Sequence, residues 1–206
     1  MRLNYPEYKQ KRKDYLYYKI LTRILTILSD EKQNSIIDVG SKGMDLISEL
    51  PQKIKYSVCL TRPLDNPKVK SFKMDFFDFK SDIKFDIVTC FQVIEHVKKV
   101  EDFIQKLQNT GDNLLISLPY KWDKNICRYH YQDPIDENKI FSWTKRKPTF
   151  TWYCKDKDHL NRIICLYAKN LSLKKYLLLK LIPKRNNFYK KRNILSRFRL
   201  LLLFFT

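Results

Sequence analysis

Glycine is nearly missing from this chain. Among 206 residues there are three, Gly40, Gly43 and Gly111, where ordinary usage of about 7% would give roughly fourteen. Each is therefore expected to answer a backbone need that no other residue meets. The five cysteines, Cys59, Cys90, Cys127, Cys154 and Cys165, form no CxxC pair and have no histidine at metal-ligand spacing. An odd count without a framework excludes a disulfide scaffold, favours a reducing compartment and argues against a zinc site. No apolar run approaches the ~18 residues of a spanning helix. The opening MRLNYPEYKQKRK has no apolar core of the kind a signal peptide carries. A cytoplasmic location is expected.

Acid is missing from one region. Residues 171–206 hold ten Lys or Arg and no Asp or Glu, whereas residues 34–170 hold 23 basic and 18 acidic groups. More than half of the net charge of +19 thus lies in the last 36 residues. A near-neutral middle weakens a nucleic-acid reading, which needs a basic stripe on the domain itself. The last segment interleaves Leu, Ile and Phe with Lys and Arg, the composition of helices lying on an anionic membrane surface. Two other readings stay open. One is a pair of C-terminal helices broken at Pro183, packed on the domain or on a second subunit, which keeps a homodimer in view. The other is a general lysine-rich bias.

What is present is a core-forming chain, 44% hydrophobic and rich in aromatics, with 13 Tyr and 13 Phe. Three segments follow: an N-terminal helical segment (1–33), a domain (34–170) and the basic tail (171–206). Residues 7–29 place Leu16, Ile20, Ile24 and Leu28 on one helical stripe. SIIDV at 35–39 is a strand ending at Gly40, and residues 44–50 read as a short helix stopped by Pro51. Residues 56–60, 69–73, 85–90 and 113–118 are strand-like. Val93, Val97, Val100, Ile104 and Leu107 predict one amphipathic helix, and a further short helix is expected at 136–142. Residues 149–154 and 162–168 predict an antiparallel hairpin. Alternating strands and helices imply a mostly parallel sheet covered on both faces. Its ligands would lie beyond the carboxyl ends of the strands.

Two of the three glycines fall in Asp38-Val39-Gly40-Ser41-Lys42-Gly43, between a buried strand and the predicted helix. The GxxG spacing fits neither the dinucleotide fingerprint nor a phosphate loop. SIIDVGSKGMDLI, then KFDIVTCFQVIEHV, then LLISLPYKW together resemble the class I S-adenosylmethionine-dependent methyltransferases. The likeness is nearest to small bacterial members that accompany polysaccharide or cell-envelope gene sets, and it covers roughly residues 30–168. It implies a Rossmann-like α/β fold, a seven-stranded mostly parallel sheet closed by an antiparallel hairpin.

It also implies S-adenosylmethionine as cofactor, with Asp38, Gly40, Ser41 and Gly43 at the methionine and ribose end. Asp75 and Phe76 would lie at the adenine, and Cys90, Phe91 and Gln92 would wall the site. Two departures stand out: Lys42 replaces the family's middle glycine, and Ser57–Arg62 holds no acid for the ribose hydroxyls. These keep a second reading alive, a non-catalytic scaffold docked by its basic tail.

If the acceptor is a hydroxyl, a histidine base suits it near neutral pH. His130, in the polar and aromatic loop after the fifth predicted strand, and His96, beside Glu95, are the candidates. Trp122 and Trp143 could stack on a sugar ring. A saccharide or other small-molecule acceptor is expected, with RNA a weaker alternative for want of a base-flipping segment. No metal is called for.

Overall fold

The computed structural model describes residues 12–29 and 34–187. Helix α1 (Leu16–Leu28) leads into strands β1 (Ser35–Val39), β2 (Ile54–Val58), β3 (Lys70–Phe72) and β4 (Phe85–Phe91). A 3-10 turn (Ile94–His96) and α2 (Val100–Thr110) precede β5 (Gly111–Pro119). Then come α3 (Glu137–Thr144), β6 (Phe150–Lys155), β7 (Asn161–Tyr167), α4 (Leu173–Lys180) and β8 (Arg185–Asn187).

All eight strands share one sheet in the order β3-β2-β1-β4-β5-β7-β6-β8. The first five pair in parallel, and β7 runs antiparallel to both β5 and β6. The expected seven-stranded Rossmann-like sheet with its closing hairpin is present. A short eighth strand extends it, pairing Tyr153 with Arg185 in parallel register. Strand order reverses between β1 and β4, so the loops after these two strands diverge and leave a crevice.

The strand alternation sorts the core into two layers. Ile36, Ile87, Leu115, Ile164 and Leu166 face α1, whose Leu21, Ile24, Leu25 and Leu28 are fully buried. Ile37, Val88, Ile116 and Ile163 face α2 and α3 through Phe103, Ile104, Leu107, Ile140 and Trp143. Helices therefore cover both faces, as the alternation of elements implies. Among the described residues no helix is long and apolar enough to cross a membrane.

Three local expectations are corrected, each for a hydrogen-bonding reason. The helix expected over 7–29 is interrupted at residues 14–15: residues 12–13 are helical, α1 begins at Leu16, and residues 7–11 lie outside the described residues. The buried Asp156 carboxylate, in the β6–β7 turn, accepts from the N–H groups of Leu16 and Tyr17 and caps α1 there. Residues 44–50 are turns, not a helix. Asp45 Oδ1 accepts from Ile47 N at 3.2 Å and Ser48 N at 3.0 Å, and such local side-chain bonds compete with helical ones. The single helix predicted over 93–107 is split at Val97, which is extended. There the Glu95 carbonyl accepts from Tyr131 N and the Val97 carbonyl from Gln132 Nε2, both at 2.8 Å.

Of the pair of C-terminal helices expected around Pro183, the described residues contain the first, α4, capped by Ser172 and anchored by buried Lys175, whose Nζ donates to the Leu28 carbonyl at 2.5 Å. Past Pro183 the chain becomes β8. The rest of the basic tail lies outside the described residues.

Candidate functional site

The crevice holds a cavity of about 620 Å³. Its floor is the end of β1 and the turn that follows. Gly40 has φ +82°, Lys42 +49° and Gly43 +76°, so three of four consecutive residues are left-handed. Lys42 adopts a conformation that favours glycine, which explains why a glycine would suit that position. The Gly40 N–H donates to the Val58 carbonyl at 2.8 Å, and the Ser41 and Ser57 hydroxyls pair at 3.2 Å, tying the turn to β2.

Gly40 itself answers a packing need. A Cβ built on it would sit 2.4 Å from Val93 Cγ2. The bend is thus covered on that side by a side chain from the loop after β4, while its backbone still borders the cavity. Gln92 holds that loop with φ +56°, its N–H donating to the Ser117 carbonyl at 2.8 Å.

Of the residues singled out in the sequence, Gly40, Ser41, Asp75, Phe76, Phe91, Gln92 and His96 line the cavity. Asp38, Gly43, Cys90 and His130 do not. Asp38 lies inside the sheet, accepting from Thr89 Oγ1 at 2.6 Å, and burial pushes its carboxyl up to about 7. Cys90 is fully buried, and burial raises its thiol well above the usual range. Asp75 accepts from the Phe77 N–H at 2.9 Å, so it shapes its own turn as well as the wall. Phe76 packs on Phe79 and Phe103, serving core and cavity together. At the end of β2 the wall is Cys59, Leu60 and Thr61, with no carboxylate; Asp65 is exposed and lies outside the cavity.

Sequence reasoning missed Arg12, Tyr18 and Tyr129, which close the cavity from the N-terminal segment and the loop after β5. Nothing in local periodicity marks them.

At the cavity's outer end stands a group that the sequence shows only in pieces. His96 is exposed, with Nδ1 3.0 Å from the Tyr129 carbonyl. Desolvation and the neighbouring cations hold its imidazole below the usual value, which keeps it neutral at pH 7. The His130 ring lies 4.7 Å from it, edge to face, although the ring does not reach the cavity lining. His130 Nδ1 bonds Asp133 Oδ2 at 2.6 Å, and both side chains are buried. Glu95, next to His96, is 1% exposed.

The Trp122 ring stacks on His130 at 5.6 Å and carries the Arg162 guanidinium 5.4 Å from its centroid. It is committed to packing rather than offered as a free platform. Trp143 is buried between α3 and the sheet, so it is not available for a sugar. An imidazole oriented by a buried carboxylate, beside a cavity, is an arrangement that can accept a proton from a bound hydroxyl.

Comparison with known proteins gives a consistent picture. The model of a family described as a methyltransferase domain matches residues 8–163. No curated protein matches the chain in sequence. Among solved structures, the chain is similar to 1,6-didemethyltoxoflavin-N1-methyltransferase of Burkholderia thailandensis, solved with 1,6-didemethyltoxoflavin and S-adenosylhomocysteine. The TM-score is 0.64 at 13% identity, over 81% of this chain and 84% of that one.

It is also similar to the N-methyltransferase NodS of Bradyrhizobium japonicum WM9, in complex with S-adenosylhomocysteine. There the TM-score is 0.59 at 12% identity, over 78% of this chain and 91% of the other. A third is the N-terminal domain of EvdMO1, solved in the presence of S-adenosylhomocysteine and D-fucose, with a TM-score of 0.54, 11% identity and coverage of 76% and 84%. At these identities the likeness is one of fold.

Proposed function

From the premise that this chain belongs to the methyltransferase-domain family, we propose that it is an S-adenosylmethionine-dependent enzyme that methylates a hydroxyl of a saccharide or other cell-envelope precursor. The observation that carries this reading is one cavity joining two chemistries. Its inner end is the left-handed turn after β1, and its outer end is His96 with His130 and Asp133 behind it.

The residues present fit an adenosyl cofactor. A cavity of about 620 Å³ falls within the range of roughly 300–1,000 Å³ common for small-molecule sites. Met74, Phe76 and Val58 offer an apolar slot of the kind a purine needs, and Asp75 offers an acceptor for an amino group. The Ser41 and Thr61 hydroxyls, also in the lining, are of the kind that can partner ribose hydroxyls. The cofactor supplies an electrophilic methyl group on a sulfonium. The protein's share is to hold both reactants in line, keep water out and take the acceptor's proton. His96 lines the cavity, and its neutral imidazole takes the hydroxyl's proton; His130, oriented by Asp133 through Nδ1, packs against it from behind.

The acceptor class rests on the polar, aromatic loop 119–137 and on a structural neighbour solved with D-fucose present. Calorimetry with S-adenosylhomocysteine tests the cofactor; transfer of labelled methyl to a panel of saccharides tests the acceptor. A folded protein that gives no heat at high ligand concentration overturns the enzyme reading. A specific observation favours the scaffold as second reading in that event: the cavity wall at the end of β2 carries Leu60 and no acid. Under either reading, residues 171–206 serve as a surface for anionic lipid. Their charge is all basic, and α4 leaves Leu173, Leu177 and Leu181 exposed.

A further inference from the structure

Glu95, His96 and His130 bring one ligand atom each to within 4.8 Å of one another. In sequence the histidines are 34 residues apart, outside any metal-ligand spacing; the loop after β5 folds back over the 3-10 turn and joins them. Three features prepare the cluster for a cation. The Tyr129 carbonyl can only accept, so His96 carries its hydrogen on Nδ1 and presents a bare Nε2. The Asp133 carboxylate does the same for His130 at 2.6 Å. Metal-bound histidines are held in this way, with the second ring nitrogen donating to a carbonyl or carboxylate. Third, Glu95 is buried, and its Oε2 has no hydrogen-bond partner. A buried carboxyl oxygen without a partner calls for either a proton or a cation.

We propose that Glu95, His96 and His130 form a binding site for a divalent first-row transition cation such as Mn²⁺, Co²⁺ or Zn²⁺, open towards the cavity on the His96 side. Two imidazoles and one carboxylate suit these ions better than Mg²⁺ or Ca²⁺, which prefer all-oxygen shells. Three protein ligands leave coordination positions for an acceptor oxygen. This role for the cation rests on the methyltransferase reading; the site itself does not. With the cation bound, both Nε2 atoms are ligands, and the acceptor's proton passes to a water molecule on the exposed His96 side rather than to an imidazole.

The test is titration of the chelator-treated full chain with Co²⁺, followed by calorimetry and visible absorption. One equivalent should bind, with d–d bands and no sulfur-to-metal charge-transfer band. Glu95→Gln and His130→Ala should each weaken binding by more than about a hundredfold, and Asp133→Asn, whose carboxylate only orients His130, by about ten- to a hundredfold. His96→Ala, at an exposed position, guards against loss of fold, because it should lose Co²⁺ with an unchanged circular dichroism spectrum. Absence of stoichiometric binding, a thiolate band, or wild-type affinity in the glutamate and histidine variants overturns the proposal. S-adenosylhomocysteine binding is measured on the same samples, so a cation site without a cofactor, or the reverse, is read separately.

Discussion

Replacing Gly40 by alanine separates two reasons for a glycine that the sequence leaves merged. At φ +82° an alanine pays about 1–2 kcal/mol for left-handed backbone. Its Cβ would also lie 2.4 Å from Val93 Cγ2 and 3.0 Å from Cγ1. Overpacking of that kind costs about 1–3 kcal/mol, so the single substitution should lose roughly 2–5 kcal/mol in all. Val93→Ala alone removes two methyl groups from a half-buried side chain and should cost roughly 1–2 kcal/mol. In the double variant both close methyl contacts are gone and only Val93 Cβ, at 3.3 Å, still crowds the new methyl, so most of the steric share is relieved. The pair should then be less destabilised than the sum of the singles by about 1–3 kcal/mol. Urea unfolding followed by circular dichroism reads this directly as shifts in midpoint at constant slope. S-adenosylhomocysteine calorimetry on the double variant should recover most of the affinity lost in Gly40→Ala. Additivity within about 0.5 kcal/mol would refute the packing account. Recovered stability without recovered binding would mean that the ligand itself needs the bare backbone.

Other outcomes follow from the same geometry. Asp38 keeps its proton in the native state up to about 7, whereas an unfolded aspartate loses it near 3.9. Its contribution to stability therefore falls as pH rises from about 4 to 7 and is level above that. Asp38→Asn should gain on the wild type between pH 4 and 7 in paired urea titrations, and a constant difference would contradict the assignment. The Arg162 guanidinium bonds Asp156 at 3.1 Å and Asp158 at 2.7 Å in the interior, and Asp156 also caps α1. Asp156→Asn removes one of the arginine's two carboxylates while Asp158 keeps it paired, and should cost about 1–3 kcal/mol in the same assay. Co-sedimentation of the full chain should be strong with phosphatidylglycerol vesicles, weak with phosphatidylcholine, and reduced by salt. Equal sedimentation with both lipids counts against the basic tail as a membrane surface.

The elements legible in the sequence are those whose signal is local. SIIDV, FDIVTC and NLLISL are β-branched and apolar because these strands are buried on both faces. The α1 stripe is equally plain because its burial follows the helical period. The misreadings share one cause. At residues 44–50, at Val97 and at the start of α1, the backbone was settled by hydrogen bonds from Asp45, Gln132 and Asp156, two of them far away in sequence. Hydrophobic period carries no trace of such bonds.

The candidate site divides along the same line. The inner end of the cavity is built from residues that directly follow strands, so topology alone pointed to Gly40, Ser41, Asp75, Phe91 and Gln92. Cys90 was drawn in by the same rule and Asp38 by the family resemblance, yet both side chains are buried within the sheet. The outer end depends on a loop of nearly twenty residues returning to a single 3-10 turn. Only its chemistry, two histidines and several acids, could be seen in advance. What joins them is the Tyr131 N–H to Glu95 carbonyl bond at 2.8 Å and the Gln132 bond to Val97. These same two bonds break the helix predicted over 93–107. The break and the cluster are thus one event: a continuous helix would have used those carbonyls internally and left His130 nothing to dock against. Gln132→Ala should therefore loosen His130 from His96 before it affects the sheet. A fall in Co²⁺ affinity with an unchanged unfolding midpoint is the expected result, and an unchanged affinity would show that the loop is held by other means.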